Sequence, residues 1–269
     1  MKEKPVKKII HIIITVSLAV LVLFCGYRMI VSRMESEAAE SAYTGLAKMV
    51  GAEVDSEEME AAIAEAVAQK EYPPLDIDVV ALKEMNEDFR GWLYFPAVEI
   101  SYPVVQAEDN DYYLHRSFEG EELSAGCIFM DCGASADWSD RNTFVFGHNM
   151  RDDSMFGNLK MLIKDPTLCQ VNKYFYIYTE EYVYTYEVFA CYETQSTSDR
   201  YMTFTSDENY DLYVDWAVEN SVFRTEANLK DRGNIVSLST CHGSAGTSRR
   251  LLVHGVLVRT EEFEKNKIF

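Results

Sequence analysis

Apolar and polar positions divide the chain into three regimes. The first is the amino-terminal run "IIHIIITVSLAVLVLFCGYRMIV", where Ile9 to Tyr27 carries no formal charge beyond what His11 acquires. Its length matches the ~20 residues that a helix needs to cross a ~30 Å hydrocarbon core. Lys2, Lys4, Lys7 and Lys8 precede it, and the acidic "ESEAAE" follows soon after Arg28 and Arg33. The positive-inside rule therefore predicts a cytoplasmic segment over 1–8, a single membrane-spanning helix over 9–31 and an extracellular remainder. A cleaved signal peptide would carry a shorter apolar stretch, about 7–15 residues, with a small-residue cleavage site close behind. A lipoprotein signal fits poorly because Phe24 stands where a small residue should precede Cys25.

The second regime, 32–75, reads as a helical stalk. Ser56 can cap a helix with Glu57 and Glu58 in its first turn and Met59, Ile63 and Val67 along one face, ended by Tyr72 to Pro74.

From 76 to 262 short alternating runs separated by turn residues predict a mostly β domain, followed by a tail over 263–269. Strands are expected in "GWLYFPAVEISYPVVQ", punctuated by Pro96 and Pro103, and in "GCIFMD" and "NTFVFGH". A hairpin turning near Glu180 and Glu181 is expected in "KYFYIYTEEYVYTYEVFACYE", and strands again in "GNIVSLSTC" and "RRLLVHGVLV". Two helices are expected, one in "DSMFGNLKML" capped by Asp153 or Ser154 and one in "DENYDLYVDWAVENS". Evenly spaced short strands favour a closed or nearly closed barrel with peripheral helices.

Composition narrows the chemistry. The 269 residues are 48% hydrophobic, enough for one sizeable core. A formal net charge of −19 argues against nucleic acid as a partner, since phosphate binding rests on Lys and Arg. The six cysteines lack the CxxC and Cys/His spacings of zinc or redox sites, so neither a metal nor a cofactor is expected. Cys127 and Cys132 could pair outside the cell, but sequence does not fix their pairing, and reduced or structural thiols are expected.

What remains is "SLSTCHGSAGTSRRLLVHG", with Cys241 at the end of one strand and Arg249 and Arg250 at the start of the next. A thiol with a free pKa of about 8.5 needs a basic neighbour to act as a nucleophile. Of five histidines, His148 sits just past a buried strand beside Gly147, whereas His242 adjoins Cys241 and along an extended chain points to the other face. An arginine suits a developing oxyanion because it stays charged and donates as a fixed fork.

These segments resemble sortases. "SLSTC" followed by a loop and "RRLLVHG" is similar to the family's signature, and "NTFVFGHNMRDDSMFGNLKML" is similar to the histidine segment of class B members. The likeness extends upstream to "DFRGWLYF" and covers roughly 76–260, and the helix-bearing stretch near Asp207 to Ser221 also looks class B. The resemblance implies a β-barrel of about eight strands and a cysteine transpeptidase of a Gram-positive surface, with His148 as acid and base, Cys241 as nucleophile and Arg250 as the oxyanion or substrate stabiliser. Arg250 is preferred over Arg249 because the family's arginine directly precedes an apolar strand. Ser239 and Thr240 would shape the substrate cleft. Phe146 departs from the tyrosine often found two before the histidine, which leaves a hydroxyl contact to substrate at that point open. Implied partners are secreted proteins with an LPxTG-like carboxy-terminal sorting signal and an amine acceptor, either a peptidoglycan precursor or a pilin lysine. A secreted cysteine protease of the papain type would place its cysteine before its histidine, the reverse of the order here.

Overall fold

The computed structural model of the chain describes residues 3–52, 61–66, 72–241 and 247–263. Eight strands form a closed barrel: β1 (Phe89–Phe95), β2 (Ile100–Val105), β3 (Ile128–Met130), β4 (Asn142–Phe146), β5 (Tyr174–Tyr178), β6 (Tyr182–Gln195), β7 (Ile235–Cys241) and β8 (Arg249–Glu262). They run around it in the order β1-β2-β3-β4-β7-β8-β6-β5, and β5 closes back on β1. The fold is the mostly β closed barrel that the short alternating runs predict. β4 lies parallel to β7, while β8 lies antiparallel to β7 and β6. The β5–β6 hairpin turns at Glu180 and Glu181, where the Thr179 N–H donates to the Tyr182 carbonyl at 2.8 Å.

Strand alternation gives the barrel two apolar layers. Val145, Val236, Leu238, Leu251 and Val253 join the main core. Their neighbours Phe144, Ile235, Leu252 and Val256 turn to a second core built with Tyr210, Tyr213, Val214 and Ala217. Those last four belong to α6 (Asp207–Glu219), where Ser206 caps the first turn by accepting from the Asn209 N–H. Its apolar stripe at Tyr210, Tyr213, Val214 and Ala217 covers the β4–β7–β8 face.

The segment "DSMFGNLKML" folds otherwise than expected. Asp153 and Met155 take positive φ (68° and 55°), so the chain turns tightly there, and neither Asp153 nor Ser154 caps a helix. Helical structure begins only with a 3-10 turn at Gly157–Lys160 and continues into α4 (Met161–Lys164), with a further short α5 at Leu168–Val171. Asp153 instead forms an ion pair with Lys160. Another short helix, α3 (Val79–Met85), precedes β1 and is capped by Asp78, whose carboxylate accepts from the Ala81 N–H at 3.1 Å.

At the amino terminus α1 (Glu3–Met49) is continuous. Large apolar side chains from Ile9 to Ile30 are exposed, and the helix is long and apolar enough to cross a membrane, as an anchor or a signal. Its last third is not a free stalk. Ala39, Tyr43, Leu46 and Val50 are buried in the main core. The Tyr43 hydroxyl donates to the Gly126 carbonyl at 2.5 Å, and the Tyr43 ring meets Tyr102 edge-on at 5.4 Å. Ser56, Met59 and Val67 lie outside the described residues. A helical stretch, α2, runs over 61–66 with Ile63 buried. Further along, the Tyr178 hydroxyl donates to the Pro73 carbonyl at 2.7 Å. Most of the tail over 263–269 also lies outside the described residues; Phe263 packs edge-on against Tyr178.

Candidate active site

β7 and β8 carry the site as a matter of register. Cys241 pairs directly with Arg250, Ser239 with Leu252 and Ser237 with His254. Alternation puts Ser237, Ser239 and Cys241 on one face of β7, with Arg250, Leu252 and His254 beside them. α6 covers the inner part of this face. At the strand ends the cover gives way to a cavity of about 340 Å³ lined by Phe146, His148, Tyr201, Ser239, Thr240, Cys241 and Arg250, together with Asn110, Leu114, Phe129, Gly147 and Ser196. All six residues singled out in the sequence meet there. His242 lies outside the described residues.

Cys241 is half-buried. Burial pushes the Cys127 and Cys169 thiols up to about 12, so neither supplies thiolate at neutral pH. Arg250 keeps its guanidinium at the strand end by donating to the carbonyls of Thr247 (2.9 Å) and Arg249 (3.0 Å). Arg249 points to the other face and pairs with Glu193.

His148 follows β4 through Gly147. The glycine is required by close packing: a Cβ there would fall 2.4 Å from Ile128 Cδ1 and 2.8 Å from Phe156 Cγ. Its N–H donates to the Ser239 carbonyl at 3.2 Å, and its carbonyl accepts from the Thr240 hydroxyl at 2.8 Å, which ties the histidine loop to β7. His148 Nε2 lies 2.7 Å from the Leu114 carbonyl. A carbonyl only accepts, so Nε2 bears a hydrogen, and in the neutral ring Nδ1 carries the free lone pair. Burial is the main cause holding the His148 pKa below the ordinary imidazole range; the Leu114 bond works in the opposite direction, and His115 adds to the lowering. The imidazole is thereby biased toward its neutral form.

Leu114, Asn110 and Tyr201 had no signal in the sequence. Leu114 contributes a backbone atom, which any residue type could supply. Its position depends on Gly126, at φ +61°, where a Cβ would lie 2.6 Å from the Leu114 carbonyl oxygen. Tyr201 arrives from the β6–α6 connection. Its hydroxyl sits 2.8 Å from Ser239 Oγ, and its ring stacks on Phe146 at 6.3 Å and 19°. A phenol hydroxyl therefore lies beside Phe146 although position 146 itself has none.

A closed barrel with a thiol on one strand, a guanidinium across from it on the next and an imidazole in the same cavity has the architecture of a cysteine acyltransferase that works on peptides. The sortase domain family matches residues 93–258. The sortase B of Listeria monocytogenes is 34% identical over 181 residues, covering 66% of this chain and 72% of that protein. The crystal structure of sortase B from B. anthracis superposes with a TM-score of 0.59 at 37% identity, covering 66% of this chain and 83% of that one. The Staphylococcus aureus sortase B–substrate complex superposes with a TM-score of 0.68 over 84% of this chain and 99% of that one, a likeness of fold at 24% identity. The chain belongs to the sortase family and is a cysteine transpeptidase related to sortase B.

Proposed function

We propose that this enzyme cleaves an LPxTG-like sorting signal of secreted proteins through a thioester on Cys241 and passes the protein to an amine of a peptidoglycan precursor. The observation that carries the reading is the direct cross-strand pairing of Cys241 with Arg250 in the cavity that holds His148. Neutral His148 takes the thiol proton at Nδ1, and the thiolate attacks the threonine carbonyl carbon. Arg250 donates to the oxyanion that forms, where charge-assisted bonds are strongest. The C–N bond then breaks, His148 returns its proton to the departing amine, and the acyl group stays on sulfur. An incoming amine attacks the thioester and gives its proton to His148, which restores the thiol. Ser239, Thr240 and Phe146 shape the cleft around the peptide.

The lysine-flanked apolar run supports a single-pass anchor with a cytoplasmic amino terminus and an extracellular barrel. The test is intact-protein mass spectrometry of the chain from residue 32 mixed with a peptide panel in which each signal position varies. The expected result is a peptide-acyl adduct on Cys241 that a peptidoglycan-stem amine discharges, and no adduct for Cys241→Ala. Acylation at another residue would reject the assignment. A peptide without the leucine or glycine that acylates better would replace the LPxTG-like signal, and discharge only by a pilin lysine would replace the acceptor.

A further inference from the structure

His148 is held from two directions by consecutive residues of one loop. Leu114 binds its edge through the carbonyl, and the His115 ring lies almost parallel to the His148 ring, with centroids 5.8 Å apart and planes 19° apart. That spacing is within the range of offset stacking. The loop is braced to hold such a contact. The His115 carbonyl accepts from the Leu123 N–H at 3.0 Å, and the Tyr113 carbonyl accepts from the Cys127 N–H at 2.9 Å. Asn110 grips the start of the loop by donating to Asp131 and accepting from the Cys132 N–H at 2.8 Å.

We propose that His115 is a positioning residue for the transfer reaction, fixing the plane in which the His148 imidazole serves Cys241. The proposal rests on the reading of His148 as acid and base. His115 is exposed, whereas His148 is half-buried. Two imidazolium charges at this distance repel each other, and His115 is one of the causes that lower the His148 pKa. His115 on the loop stacks on His148, and the titratable and charged groups that share its cavity are Cys241 on β7, Arg250 on β8 and Tyr201 from the β6–α6 connection. Around His115 stand Arg116, Asp109, Asp111 and Glu122, with Glu35 from α1. When His115 is protonated it opposes a proton on His148; removing that charge lets His148 hold its proton to higher pH.

The pH profile of thioester formation separates this role from a structural one. His115→Phe keeps a flat ring without a charge; His115→Ala removes both. In each variant the limb of the kcat/KM profile that belongs to His148 should move to higher pH. The Ala variant should lose roughly tenfold in kcat with KM for the peptide little changed, as small misplacements of a catalytic group do. The Phe variant should stay within about threefold of wild type, since an offset ring contact is retained. A limb that stays at its wild-type position in both variants overturns the proposal, including the case where activity falls together with melting temperature. His148→Ala serves as the reference. Retained activity there would overturn the reading of the site itself, whereas an inactive His148→Ala beside unchanged His115 variants overturns only the role of His115.

Discussion

His254 shows how one buried side chain ties stability to pH. It lies at the centre of a polar chain on the face that carries Cys241 and Arg250. Tyr192 donates to its Nε2 (2.9 Å), its Nδ1 donates to Ser237 Oγ (2.6 Å), and Ser237 donates to Asn142 Oδ1 (2.7 Å). Full burial depresses its pKa to about 3. The unfolded chain, with histidines near ~6.5, binds the proton that the folded chain refuses. Stability is therefore full above ~6.5 and drains as pH falls from there toward 3, by an amount on the order of a few kcal/mol. Denaturant melts from pH 7.5 to 4 should show His254→Asn less stable than wild type at pH 7.5, with a shallower loss on acidification. Parallel pH dependences in the two proteins would assign the acid sensitivity to other groups. In the sequence His254 was only a member of "LLVHG"; its partners lie 17, 62 and more residues away, which no local pattern reveals.

At the scale of elements, the β7–β8 register decides which arginine lies beside the thiol. Arg250 pairs with Cys241 and lines the cavity, and Arg249 turns outward to Glu193. Removal of an oxyanion donor costs ~10²–10³ in rate, and lysine lacks the planar fork. Arg250→Ala and Arg250→Lys should both lower the rate of thioester formation by about that factor. Arg249→Ala should remain within a few fold, because it breaks only a surface ion pair. Equal losses at both positions, with circular dichroism unchanged, would contradict the register. Alternation made this face legible in advance, because side chains in a strand have only two directions. The histidine loop was less legible. "DSMFGNLKML" has helical composition, yet positive φ at Asp153 and Met155 and the packing of Phe156 against Gly147 delay the helix to Gly157. Those are tertiary demands that override local propensity.

For the molecule as a whole, the docked end of α1 is the feature for which the sequence analysis found no signal. An acidic, moderately apolar helix after a membrane span looks like a spacer; only the barrel shows that Ala39, Tyr43, Leu46 and Val50 have a surface to meet. The chain from residue 32 should accordingly melt well above a chain from residue 76, and Tyr43→Ala should cost roughly 2–4 kcal/mol as a buried large-to-small change. Equal melting temperatures for the two lengths would mean that the helix is an appendage.

The same docking constrains where the enzyme works. Contact with the barrel begins by Ala39, about 12 Å of helix rise beyond residue 31. A bilayer around the apolar run, as proposed above, would hold the barrel close to the lipid headgroups on a short helical post. Its encounters would then be confined to a thin sheet of space, which would favour reactants that diffuse in the same membrane. A substrate released from the membrane, however well its peptide fits, would be lost to three dimensions.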